Sequence, residues 1–294
     1  MSFHPVSTPN TDSPPSASAS LTVPGCFEKK RRGEKLVCLT AYDYAFARLA
    51  DESGVDIVLV GDSLGMVMAG RENTLAVSMR ESLTCVRWAR RGIQRALLVA
   101  DMPYGSYHLG RRQAVANALR LVRAGAAAVK LEGGARRAPL VRALVEAEIP
   151  VMAHIGLTPQ SLLAMGGYHV QGREPAAAIE LQEDARALAA AGAFALVLEG
   201  MPRELAGRIT RQLSIPTIGI GAGPECDGQI LVLHDLLNLS FSPPAKFVRR
   251  FGDAAALSRA AIADYAGEVR AGSFPDDAES YHAPVPARQV ISRA

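Results

Sequence analysis

The chain has 294 residues, 49 % of them hydrophobic but only 5 % aromatic, and carries a formal charge of +3 at pH 7. So small a charge, with basic residues mostly alternating with acids or standing singly, does not suggest nucleic acid as a partner. No apolar run approaches the roughly 18 to 20 residues of a membrane helix, and no basic segment followed by an apolar one opens the chain, so neither a membrane span nor an export signal is expected.

Residues 1–24 are rich in Ser, Pro and Thr, with hardly any large apolar side chain, and read as a disordered tail. The basic run Lys29-Lys30-Arg31-Arg32 stands before Gly33 and an apolar stretch, so it reads as a solvated helix end rather than a polyanion or localisation patch. Short apolar runs then recur: LVCLTA at Leu36, DIVLVGD at Asp56, ALLVADMP at Ala96, AAVKLEGG at Ala127, PVMAHIG at Pro150, FALVLEG at Phe194 and PTIGIGAG at Pro216. Runs apolar on both faces mark buried parallel strands. Ala-rich segments between them, such as Gln113–Ala124 and Glu180–Ala191, end in glycine as helices do. After a helix-like DGQILVLHDLLNL, the short AKFV near Lys246 is the only candidate left for an eighth strand. A helix from about Asp253 to Ala271 follows, and residues 283–294 read as a loose extension.

Strands alternating with helices on an aliphatic composition predict one (β/α)8 TIM barrel over residues 25–282. The competitor, an open doubly wound sheet, lacks its usual GxGxxG after the first strand; GIGAG at Gly219 falls late in the chain instead. Cys26, Cys38, Cys85 and Cys226 form no CxxC pair, which argues against a zinc ribbon or a disulfide framework and suits a reducing cytoplasm.

Several strands end in an ionisable group: Asp62 after the second, Asp101 after the third, Lys130 and Glu132 on the fourth, His154 on the fifth and Glu199 on the sixth. That is the catalytic rim of a barrel. One strand-end acid alone is more often a helix cap, and Glu199 has that reading too, before a helix near Pro202. Four carboxylates converging near Lys130 need a cation, and oxygen donors without a cysteine cluster favour magnesium over zinc. A 2-oxo acid could bind such an ion, with Lys130 beside the same oxygens; the bland alternative for Lys130 is a buried ion pair with Glu132 or Asp101. Glu199 ends an apolar strand, a setting that favours proton transfer near neutrality. His154 is as readily a hydrogen-bonded lining residue as a proton carrier, and the other histidines show no ligand spacing.

The segment from Thr40 to Gly70, TAYDYAFARLADESGVDIVLVGDSLGMVMAG, resembles the opening signature of the ketopantoate hydroxymethyltransferases. AGAAAVKLEGG, HIGLTPQS, GGYHVQGR, LVLEGMP and IPTIGIGAGPECDGQILVLHD follow in that family's order, so the similarity runs from about Val37 to His282. The resemblance implies a (β/α)8 barrel assembled as a homo-oligomer, a decamer, in the pathway to pantothenate and coenzyme A. It implies magnesium at Asp62 and Asp101, with Glu132 completing the metal environment, and contacts from Ser63, Asp101 and Lys130 to the oxo acid. By the same resemblance 3-methyl-2-oxobutanoate is the acceptor and 5,10-methylenetetrahydrofolate the one-carbon donor. Glu199 then transfers the proton, and His154 falls at an active-site position. The chain departs from the family pattern at Gly200, at His169 and in the Pro224-Glu225-Cys226 loop.

Rival readings keep parts of this picture. A related metal-dependent lyase or mutase could share the fold, although GLTPQS and GGYHVQGR argue against it. A Schiff-base aldolase would use Lys130 as its nucleophile. A binding-only paralogue would have lost a rim acid, and none is missing here.

Overall fold

The computed structural model describes residues 20–283. Most of the tail expected over residues 1–24, and all but the first residue of the extension expected over 283–294, lie outside the described residues. The first half contains α1 (Val23–Arg32), β1 (Leu36–Thr40), α2 (Tyr44–Glu52), β2 (Ile57–Val60), α3 (Leu64–Val67), α4 (Met79–Gly92), β3 (Leu97–Asp101), α5 (Arg111–Arg123) and β4 (Ala128–Glu132). The second contains α6 (Ala138–Glu146), β5 (Val151–Gly156), α7 (Leu162–Met165), α8 (Pro175–Ala190), β6 (Ala195–Glu199), α9 (Arg203–Gln212), β7 (Thr217–Ile220), β8 (Gly228–Leu231), α10 (Leu233–Leu236) and α11 (Ala254–Ala271). The eight strands are parallel and form a closed barrel in sequence order, with β8 returning to β1.

Strand parity decides what the barrel does. Leu36, Cys38, Ile57, Leu59, Leu97, Val99, Ala128, Met152, Val197 and Ile218 pack together as the barrel's inner core. Side chains alternate faces along a strand, so the next inward positions are Asp101 on β3, Lys130 and Glu132 on β4, His154 on β5 and Glu199 on β6. The inside of the barrel is therefore apolar below and charged at its C-terminal end. Intervening residues such as Val58, Leu98, Val129, Ala153 and Leu196 face outward into a larger core shared with the helices.

Two expectations need correction. Residues 245–248 form a turn, and the eighth strand is Gly228–Leu231, inside the segment expected to be helical. Gly228 lets β8 lie tightly on β1, since a Cβ there would stand 2.5 Å from the Leu36 carbonyl oxygen. The second correction concerns the tail, whose inner end is folded. Ser20 and Leu21 bond to the carbonyls of Gln94 and Arg95, Thr22 caps α1, and α1 itself starts at Val23.

Helix α1 closes the N-terminal end of the barrel, where Cys26 is buried against the inner core. Lys29 and Lys30 are not solvated as expected: they reach Asp56 and Asp227 at 2.8 and 2.7 Å, while Arg31 and Arg32 stay exposed. All four cysteines are buried thiols. No helix links β7 to β8, and α11 lies at the periphery with only Ala255 buried.

Candidate active site

The parallel register sets the charged residues side by side. Asp101 is the cross-strand partner of Lys130, and Glu132 that of His154. Lys130 Nζ donates to Asp101 Oδ2 at 2.7 Å and lies 3.4 Å from Glu132 Oε1. Asp62, two residues beyond β2, completes the group: Asp62, Asp101 and Glu132 each offer an oxygen, all within 4.8 Å of one another, and all three residues are buried. Ser63 stands beside them with its hydroxyl 2.8 Å from that of Tyr42.

His154 bridges this group to Glu199. Its Nδ1 lies 3.3 Å from Glu132 Oε1 and its Nε2 3.3 Å from Glu199 Oε2, at angles that make neither a full hydrogen bond. Glu199 caps no helix; α9 begins at Arg203 without a side-chain cap. The structure thus brings Asp62, Ser63, Asp101, Lys130, Glu132, His154 and Glu199 to one end of one barrel, and leaves none of the expected site residues elsewhere.

The electrostatics show an unmet demand. Burial, reinforced by the Asp101 and Glu132 charges, holds the Asp62 carboxyl well above the usual carboxylate range. Burial also raises Asp101, against the pull of Lys130. Glu132 goes the other way: burial opposes ionisation, but Lys130 and His154 outweigh it and lower its pKa to about 2. The ring of His154 is disfavoured as a cation by burial and by Lys130, yet the carboxylates on either side raise it to about 9. Lys130 is likewise kept charged, with Asp101, Glu132 and Asp62 overcoming its burial.

Asp101 Oδ1 is buried without a hydrogen-bond partner, a costly state for a carboxylate oxygen. The donor set of oxygens, that orphan atom, and four carboxylates set against Lys130 and His154 all fit a hard divalent cation of the magnesium type. The same charge balance speaks against a nucleophilic Lys130, because a Schiff base requires the neutral amine.

A family model described as ketopantoate hydroxymethyltransferase matches residues 20–277. The chain belongs to that family. It is 55 % identical over 265 residues to a 3-methyl-2-oxobutanoate hydroxymethyltransferase of Koribacter versatilis, covering 90 % of each chain. A protein of the same name from Geobacter sulfurreducens is 55 % identical over 253 residues, 86 % of this chain and 95 % of that one. Among solved structures, the phosphoenolpyruvate phosphomutase of Streptomyces platensis subsp. rosaceus is similar in fold, with a TM-score of 0.56 at 17 % identity over 87 % of this chain and 92 % of that chain.

Within this ketopantoate hydroxymethyltransferase family chain, the structure adds site residues that reading by strand ends missed. Gln160 ties the acids together: its Nε2 donates to Asp62 Oδ2 and the Met102 carbonyl, both at 3.0 Å, and its amide donates to Glu132 Oε2 at 3.0 Å. Tyr107 in turn donates to Gln160 Oε1 at 2.7 Å. Tyr42 orients Ser63. Half-exposed Tyr168 faces the mouth: partial burial, then Asp62, Glu199 and Glu132, raise the pKa of its phenol. Gln160 and Tyr168 lie within GLTPQS and GGYHVQGR, so the signal was present in those motifs, but neither is a strand-end ionisable group.

Proposed function

We propose that the chain transfers a one-carbon unit from 5,10-methylenetetrahydrofolate to C3 of 3-methyl-2-oxobutanoate, forming 2-dehydropantoate on the route to pantothenate and coenzyme A. The carrying observation is the convergence of Asp62, Asp101 and Glu132 on one point beside Lys130, on a chain 55 % identical to an enzyme named for that reaction.

Asp62, Asp101 and Glu132 would hold a magnesium ion. Bound there, the ion would supply Lewis acidity toward the ketone and carboxylate oxygens of the oxo acid. Ser63, Asp101 and Lys130 contact that acid, and the fixed ammonium of Lys130 compensates charge developing on the ketone oxygen as C3 loses its proton to give the enolate. Glu199 carries protons on the far side, with His154 Nε2 3.3 Å from its carboxylate. In the balance the acceptor's C3–H bond breaks and C3 bonds to the donor's methylene carbon. Water supplies the hydroxyl, and tetrahydrofolate leaves with N5 and N10 both protonated.

The exposed apolar side chains of α11, among them Leu257, Ile262 and Tyr265, support assembly as a homo-oligomer, a decamer by resemblance. A monomer in sedimentation equilibrium would refute that. The buried, unpaired thiols suit a cytoplasmic setting, and no helix among the described residues is long and apolar enough to cross a membrane.

The test of the reaction is direct: the purified chain is supplied with oxo acid and donor, and 2-dehydropantoate is followed in chelator and then in excess magnesium. Product should vanish in chelator and return with the ion. Undiminished turnover in chelator, or none with this pair in magnesium, would overturn the reading.

A further inference from the structure

On the Glu199 side of the mouth an open groove of about 410 Å³ runs between α8 and α9, its walls including Gly172, Arg173, Ile179, Pro202, Leu205 and Arg208. One of its walls adjoins the end of β6. Pro202 follows Glu199 by three residues, and the Gln171 amide donates to the Gly200 carbonyl at 2.8 Å, fastening one wall to the end of β6. The wall also needs its glycine: Gly172 has φ +72°, and a Cβ there would stand 2.5 Å from Leu205 and 2.8 Å from Leu181.

The groove has the electrostatics of an anion site. Helices α8 and α9, of 16 and 10 residues, both start beside it, and neither has a side-chain cap, so first-turn N–H groups and two positive dipole ends point to its upper edge. Arg173 and Arg208 add full charges. Among the described residues neither is paired with a carboxylate, whereas the adjacent Arg203 is held by Glu225. Glu204 is the one acid in the lining, against those two arginines and two helix ends. Between them the apolar surface of Pro202 and of Ile179, itself more than half exposed, offers a floor for a flexible aliphatic chain.

We propose that this groove binds the acidic tail of the one-carbon donor, the glutamates that folates carry in γ-linked chains. The methylene groups of the tail lie on Pro202 and Ile179, and its carboxylates meet Arg173 and Arg208. This deepens the folate reading above and rests on it. The reacting methylene then enters beside Glu199, opposite the acids of β2, β3 and β4, with its tail already outside the barrel.

The experiment compares donors bearing one and three glutamates. Wild-type enzyme should show a KM for the triglutamate about three- to tenfold lower, as expected for a few solvent-screened charge contacts. Arg173→Ala with Arg208→Ala should bring that ratio to about one, leaving kcat and the oxo-acid KM unchanged. Arg173→Lys with Arg208→Lys should recover part of the preference, which rising salt should erode. A wild-type ratio of one, or a double alanine variant that keeps the wild-type ratio, overturns the groove alone. Wild-type enzyme that is idle with both folates yet active with formaldehyde overturns the folate reading, and this inference falls with it.

Discussion

The two ends of the barrel use the same side chains to opposite effect. At the N-terminal end three acids, Asp51, Asp56 and Asp227, are satisfied from within the chain. Asp51 accepts the amides of Gln94, Arg95 and Ala96 at 3.1, 2.9 and 2.7 Å. Asp56 accepts the Val37 amide and pairs with Lys29, and Asp227 accepts the Thr217 amide and pairs with Lys30. At the C-terminal end Asp62, Asp101 and Glu132 crowd one another, and Asp101 keeps an orphaned oxygen. Acids whose hydrogen bonds close within the chain hold the fold, whereas acids left in mutual repulsion await something from outside it.

The sharpest way to break this comparison is Asp62→Asn. The amide oxygen can still accept from Gln160, but one metal oxygen of the proposed set is lost, so kcat/KM should fall roughly 10³-fold or more, as several kcal/mol of charge stabilisation implies. Because the change also relieves repulsion, the metal-free variant should unfold at a urea concentration no lower than wild type. A markedly lower midpoint would make this acid structural and erase the contrast.

Glu199→Gln should cost less, roughly 10²-fold in transfer, the low end for a placed proton carrier because His154 remains beside it. Exchange of the acceptor's C3 hydrogen with deuterated solvent, without folate, separates the steps. Exchange that survives puts Glu199 in the donor half; loss of both makes it the enolising base as well. Full transfer activity would leave it a lining residue.

Asp51→Ala probes the other end. One buried and two part-buried amides lose their acceptor, so stability should drop by about 2 kcal/mol, with kcat/KM per folded molecule unchanged. Denaturant midpoints and active-site-normalised kinetics read the two separately. Lost turnover in the folded variant would show the ends are coupled.

Much of the charged end was legible in the sequence because burial on both faces leaves an unbroken apolar run, and the acid that terminates such a run must lie at the rim. Seven strands and the charges at their ends follow from that pattern. β8 does not show it: four residues long, with Gln229 facing out and VLHDLL immediately after, it imitates a helix. The N-terminal end was harder still. Only the fold reveals that Lys29 and Lys30 meet acids 27 and 197 residues away, or that Val23 opens a plug rather than ends a tail. Gln160 and Tyr107 escaped for a related reason, since these uncharged side chains that organise charged ones sit in a single 3-10 turn and a loop, without periodicity.

Glu81 sharpens where the boundary between the two kinds of acid runs. It stands in the first turn of α4, at the rim end of the barrel like Asp62, so position alone would place it with the acids proposed to hold the metal. Its hydrogen bonds place it with Asp51. Oε2 accepts the amide and hydroxyl of Ser78 at 2.8 and 2.7 Å, Ser78 Oγ accepts the Glu81 amide in return, and Oε1 pairs with Arg71. Arg71 above all, then the Ser78 amide, lower its pKa to about 2 from an ordinary 4.5. A carboxyl lowered by folding stabilises the fold above its ordinary pKa and loses that contribution as the pH falls toward the folded value. Glu81→Gln should therefore be less stable than wild type by about 1 kcal/mol or less near neutrality, since the pair is a third exposed and screened. That gap should hold constant above about pH 5 and narrow as the pH falls from 4.5 toward 2, with turnover unchanged throughout. Urea midpoints of both proteins across that range, beside one kinetic assay at neutral pH, decide it: a gap that ignores pH would remove the ion pair from the account, and a drop in turnover would move Glu81 across to the functional acids.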